Sequence, residues 1–174
     1  MEKLKKYIRE VPDFPKPGVN FYDISTLLQD ETGFNLALDQ MEKYAVSRDT
    51  QKIMAIEARG FVFGAALADR MNVGLVIARK PGKLPYKTIA QEYVLEYGTD
   101  KIEVHEDAIE SGDRVLVVDD LIATGGTLEA ACKLVEKLKG EVVGISSVIG
   151  LDFLPHKDKL AAYDVNYLIS YDSE

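Results

Sequence analysis

What this 174-residue chain lacks narrows its function before any motif is read. It has one cysteine, Cys132, which excludes an internal disulfide framework and a multi-cysteine zinc site. Cys132 falls at helical spacing with Leu128, Ala131 and Val135, the place of a packing residue rather than a nucleophile. Histidine is almost as scarce: His105 and His156 are the only two, and neither has a partner that suggests a metal. Positive charge is in deficit, with 21 Lys and Arg against 29 Asp and Glu, for a net charge of −8. A dedicated nucleic-acid binder carries a basic face, so that class is disfavoured; a small anionic substrate is not, because a few local cations can dominate one cleft. The longest apolar stretches, such as 61–68, are too short to span a bilayer. The start, Met1-Glu2-Lys3-Leu4-Lys5-Lys6, lacks the apolar core of a signal peptide. The expected setting is the cytoplasm, with no nucleic acid and no membrane as partner.

What is present is a folded-protein composition, 47% apolar and 29% charged, in a length that suits a single domain spanning 1–174. Residues 3–10 mix Leu4 and Ile8 with charges, as a short amphipathic helix does. Three prolines and a glycine within 12–18 then block regular structure. Residues 19–28 read as a short strand or extended piece, and 33–46 carry a helical stripe at 34, 38, 41 and 45. From there strands and helices alternate: strands at 52–56, 73–78, 114–118, 142–149 and 165–170, helices at 60–71, 127–139 and 155–163. Alternation of this length implies parallel strands joined by helical crossovers, hence an α/β doubly wound fold with a mainly parallel sheet and flanking helices. One stretch resists: 80–99 is polar and proline-rich, then alternating, which reads as a mobile hairpin or lid with Gly82 and Gly98 at its ends.

The strongest signal is Val115-Leu116-Val117-Val118-Asp119-Asp120-Leu121-Ile122-Ala123-Thr124-Gly125-Gly126-Thr127, followed by a helix. A buried parallel strand here delivers two carboxylates to its C-terminal end, the edge where open α/β sheets bind ligands. Small residues then lead to a helix N-terminus, where free N–H groups and the helix dipole make an anion seat, with Thr124 and Thr127 adding hydroxyls. It is neither a Walker A loop nor a GxGxxG turn. Carboxylates placed before a phosphate loop suit a ligand that carries a diol and a phosphate on one sugar.

This segment resembles the phosphoribosyl diphosphate (PRPP) signature of type I phosphoribosyltransferases. Phe14-Pro15-Lys16-Pro17-Gly18 with Asp23-Ile24, Glu57-Ala58-Arg59-Gly60-Phe61, Arg79-Lys80-Pro81-Gly82-Lys83-Leu84-Pro85 and Leu95-Glu96-Tyr97-Gly98 narrow the resemblance to the adenine branch, in its order and over nearly the whole chain. The resemblance implies that adenine and PRPP, with Mg2+, give AMP and pyrophosphate. It implies an N-terminal hood (1–32) over the base site and a lid (80–100). Ala123, Thr124, Gly125, Gly126 and Thr127 then hold the 5′-phosphate, and Asp119 and Asp120 the ribose hydroxyls. Arg59, Arg79, Lys80 and Lys83 meet the pyrophosphate, with a cis peptide at Glu57–Ala58 turning N–H groups toward that anion. Glu96, with Tyr97 beside it, is the catalytic element, taking a proton released from adenine. Asn20, Phe21, Tyr22 and Leu121 form the base pocket, although many members have an aliphatic residue at position 20 and arginine at 22. Mg2+ comes mainly on PRPP, pyrophosphate and water, with no direct protein ligand. The family usually works as a homodimer, with the region around Arg79 near the interface.

Two alternatives fit less well. Salvage of another purine base uses a lysine after the signature, and Lys133 and Lys137 lie on the wrong side of a helix for that. A PRPP-sensing regulator needs an added DNA-binding module and a basic surface, against a short N-terminal extension and a net charge of −8.

Overall fold

Short apolar strands alternating with helices set the architecture, and the computed structural model describes residues 2–94 and 98–173. A 3-10 helix at Glu2–Tyr7 leads into β1 (Arg9–Val11), which pairs antiparallel with β2 (Phe21–Asp23). The expected N-terminal helix thus stops early: Leu4 and Ile8 anchor in the core, and the residues after Ile8 gain a strand partner instead. The piece expected to be extended from 19 to 28 is strand only at β2, then turns into α1 (Ser25–Gln29). α2 (Glu31–Val46) follows, its first turn closed by Asp30 accepting from the Gly33 amide at 2.8 Å. It buries Ala37, Leu38, Met41 and Ala45.

The remaining elements are β3 (Lys52–Ile56), α3 (Gly60–Met71), β4 (Gly74–Ala78), β5 (Thr88–Val94), β6 (Thr99–His105), β7 (Arg114–Val118), β8 (Leu121–Ile122), α4 (Gly126–Lys137), β9 (Glu141–Leu151), α5 (His156–Lys159) and β10 (Val165–Tyr171). A parallel sheet runs in the order β10-β9-β7-β3-β4, with β8 also paired to β9. β7 shows why it is continuously apolar: Leu116 and Val118 join the core with α2 and α3, while Val115 and Val117 join the core beneath α4. The doubly wound, mainly parallel sheet is as expected from the sequence. The last helix is shorter, a single turn rather than 155–163, because only His156 and Leu160 of that stretch bury side chains deeply.

β5 and β6 form an antiparallel hairpin that reaches His105, five residues past the expected lid boundary. The extension exists because Ile102 and Val104 bury against the α4-side core, and Glu103 forms a two-way backbone bridge with Arg79. Gly82 and Gly98 both hold positive φ, +75° and +90°.

α3 sits unusually close to the sheet, because a Cβ on Gly64 would stand 2.4 Å from Ala55 Cβ. Overpacking of this kind costs about 1–3 kcal/mol. Gly64→Ala is expected to lower unfolding free energy by that amount in a urea titration; an unchanged midpoint would show that the helix can ride outward freely.

Candidate active site

The strand order reverses direction between β3 and β7: the chain leaves β3 toward β4 on one side, then returns to β7 and builds β9 and β10 on the other. The crevice at the carboxyl ends of such a strand pair is where doubly wound sheets take their ligands. Glu57, Ala58 and Arg59 follow β3 there, and Asp119 and Asp120 follow β7. The Glu57–Ala58 peptide is cis.

Backbone bonds fix the two aspartates. The Asp119 amide donates to Ser146 O at 3.2 Å, and the Val148 and Ile149 amides donate to Asp120 O at 3.1 and 3.0 Å. The Asp120 amide donates to Asp119 Oδ1 at 2.9 Å. On the other side, a Cβ on Gly60 would stand 2.9 Å from Asp119 Oδ1, so the start of α3 presses against the carboxylate. Burial, and then the neighbouring Asp120 charge, push the Asp119 carboxyl well above the ordinary aspartate range. Burial also raises Asp120, against the Arg59 guanidinium, whose Nε lies 3.0 Å from Asp120 Oδ2. Arg59 also sits over the Phe21 ring, 5.3 Å from its centroid, so one side chain ties the hood to the end of β7.

Beyond the aspartates, Asp119, Leu121 and residues 123–128 line a cavity of about 90 Å³. All five residues expected to hold a phosphate are there. Gly125 takes φ +79°, a left-handed conformation that favours glycine, and serves as N-cap of α4 without any side-chain cap bond. The first amides of α4 are therefore not claimed by a capping threonine, which leaves them to an anion.

The other expected residues divide. Phe21 faces the crevice and meets Phe14 edge-on at 5.2 Å. Tyr22 alternates to the opposite face: its side chain is 3% exposed, packs on Tyr171 and donates from its hydroxyl to Ser173 O at 3.3 Å. Its side chain therefore belongs to the core, contrary to the expectation that it lines the base pocket, and only its backbone is left for that task. The Asn20 carboxamide donates to Glu10 Oε2 at 3.1 Å, across the hood sheet. Arg79 donates from Nε to Glu57 Oε2 at 2.6 Å and from Nη1 to Lys83 O at 3.2 Å. Lys80 turns to the hairpin, donating to Tyr93 Oη at 2.9 Å and pairing with Asp100. Glu96 and Tyr97 lie outside the described residues. Lys133 pairs with Glu129, and Lys137 donates to Ala90 O, so both are occupied away from the cavity. Sequence reasoning gave Glu57 a role only through its peptide bond to Ala58, none to its side chain, and none to Gly60. A signal for Glu57 existed: it is an acid directly after an apolar strand, the same pattern as Asp119.

Among the described residues, no group of three or more His, Cys, Asp or Glu is arranged to hold a metal. The two carboxylates at the end of β7 nonetheless suit a hard cation that retains its waters, since they can accept hydrogen bonds from coordinated hydroxyls and water.

An acid held above its ordinary pKa by the fold stabilises the protein at low pH and loses that contribution as pH rises through the raised value. Ligand-free Asp119→Asn is therefore expected to melt above wild type at neutral pH, with the gap closing toward about pH 4. Thermal melts across that range check it; equal melting at neutral pH would rule out the carboxylate as a burden on the fold.

Comparison with known proteins agrees with this fold. The family described as "Phosphoribosyl transferase domain" matches residues 35–169. An adenine phosphoribosyltransferase from Acidobacterium capsulatum is 51% identical over 98% of this chain and 94% of its own length. The crystal structure of adenine phosphoribosyltransferase from Thermoanaerobacter pseudethanolicus superposes with a TM-score of 0.94 at 50% identity, covering 98% of this chain and 99% of that one. That of Saccharomyces cerevisiae, complexed with D-2,5-dideoxy-2,5-imino-altritol 1,6-bisphosphate and adenine, gives 0.92 at 35% identity, over 97% of each chain. On sequence and on fold alike, the chain belongs to the adenine phosphoribosyltransferase family.

Proposed function

We infer that the chain is an enzyme that transfers the phosphoribosyl group of PRPP to adenine, giving AMP and pyrophosphate. The observation that carries this reading is the pairing of Asp119 and Asp120 with the capless glycine loop at the strand-order switch, one seat for a diol beside one for a phosphate. A relative crystallised with adenine and an iminoalditol bisphosphate supports the same pair of ligands.

In this reading Asp119 and Asp120 accept from the ribose hydroxyls, and residues 123–127 hold the 5′-phosphate. Arg59, Arg79, Lys80 and Lys83 receive the pyrophosphate, the first three exchanging internal acids for its oxygens as charge builds on the leaving group. The anomeric carbon passes through an oxocarbenium-like state: its bond to pyrophosphate breaks, adenine N9 bonds to it, and the ring proton passes to Glu96, with Tyr97 adjacent. Phe21 stacks on the base, Leu121 covers its other face, and the hood backbone at Asn20 and Tyr22 reads its edge. Magnesium, carried by PRPP and pyrophosphate and by water, offsets negative charge on the diphosphate. No observation favours another base or a regulatory role.

The active form is a homodimer working in the cytoplasm. Val62 on α3 and Leu75 and Ile77 on β4 are 41%, 41% and 37% exposed, an apolar surface beside a strand that pairs on one side only, and next to Arg79.

Pyrophosphate release, followed with magnesium, PRPP and each purine and pyrimidine base in turn, is expected with adenine alone. Release with hypoxanthine alone would overturn the base assignment. General-base help is worth roughly 10²–10⁴ in rate, so Glu96→Ala should lower kcat by that factor while leaving the urea midpoint unchanged; near-normal turnover would remove Glu96 from the mechanism.

A further inference from the structure

We infer that Lys159 is a cation for the 5′-phosphate seat and the feature that makes the site prefer a phosphorylated sugar over a bare nucleoside. The inference rests on the reading of residues 123–127 as that seat. The loop itself, Ala-Thr-Gly-Gly-Thr, carries no cationic side chain, whereas the opposite end of the site has Arg59, Arg79, Lys80 and Lys83. A phosphate dianion held by amides alone is left without a formal counter-charge.

Lys159 supplies one by its position in the fold. α5 and the residue that follows it are pinned beneath the loop: Leu160 Cγ and His156 Cβ stand 3.2 and 3.3 Å from where a Cβ on Gly125 would be, and both side chains are buried. Lys159 lies between these anchors in sequence. Its Nζ reaches to 3.8 Å from the Cβ position of Gly126, the first residue of α4. An exposed lysine ordinarily extends into water, but this one folds back over backbone at a helix N-terminus, where the dipole is positive and gives an ammonium no reason to be.

The neighbouring lysines are engaged elsewhere. Lys157 pairs with Asp152 at 3.2 Å and Lys133 with Glu129 at 2.5 Å. Among the described residues no ion pair or hydrogen bond engages Lys159. A second element converges on the same point: Val94 O and the Tyr93 ring, at the end of β5, lie 3.3 and 3.5 Å from that Gly126 position. Lys159 thus stands where the hairpin meets the loop, free to take a phosphate oxygen as a charge-assisted donor.

Calorimetric titration of the full chain with AMP and with adenosine tests this, using wild type, Lys159→Ala and Lys159→Arg. Lys159→Ala should weaken AMP about tenfold, the scale of one charge-assisted bond, and leave adenosine unchanged; Lys159→Arg should restore most of the AMP affinity. In turnover, KM for PRPP should rise by a similar factor with kcat nearly constant. If wild type prefers AMP to adenosine but Lys159→Ala binds AMP as wild type does, or weakens both ligands alike, Lys159 has no such role and the loop reading survives. If wild type binds the two ligands equally, the loop reading itself fails and this inference falls with it.

Discussion

Two carboxylates held at the end of a buried strand are the constraint around which the rest of this structure is organised. β7 is apolar on both faces, so its last residues arrive at the crevice with little freedom. Backbone donors from β9 clamp Asp120, Ser146 O holds the Asp119 amide, and α3 begins at a glycine because Asp119 leaves no room for a side chain. Against these, Arg59 is the one cation among the described residues that pairs with either acid. A fold that pays to bury adjacent acids in this way keeps a polar seat in place before any ligand arrives, which is the sense in which the site is preorganised.

The acidic composition does not conflict with a polyanionic substrate once the cations are located. Arg79 is matched with Glu57, and Lys80 with Asp100. Burial works against the Lys80 charge, yet its bonds to Asp100 and Tyr93 hold its pKa above the ordinary lysine value, and the same bond lowers Asp100. Each cation therefore already stands beside an internal acid. Moving from one anionic partner to another demands less desolvation than recruiting a fully hydrated ammonium.

Much of this was legible in the sequence because it is local. Val115 to Val118 could only be a strand buried on both faces, and the acids and glycines after it could only be at a sheet edge and a helix start. Elements whose form depends on a distant partner were less legible. Arg9–Val11 became a strand because β2 lies beside it, and Thr99–His105 because Ile102 and Val104 find the core under α4. Tyr22 shows the same limit at the scale of one residue: nothing local says that Tyr171, far along the chain, takes up its ring and leaves only its backbone toward the crevice. Glu57 repeated the strand-end acid of β7 and could have been read from it.

Arg59 pairs with Asp120 through its Nε and places its guanidinium carbon over the Phe21 ring. On the proposed reading, a base beneath the hood and a sugar at the end of β7 would meet one and the same side chain. Whichever comes first alters the environment that the second encounters, and thermodynamic linkage makes that influence equal in both directions. The part of the crevice under the hood and the part at the end of β7 are joined through that single residue.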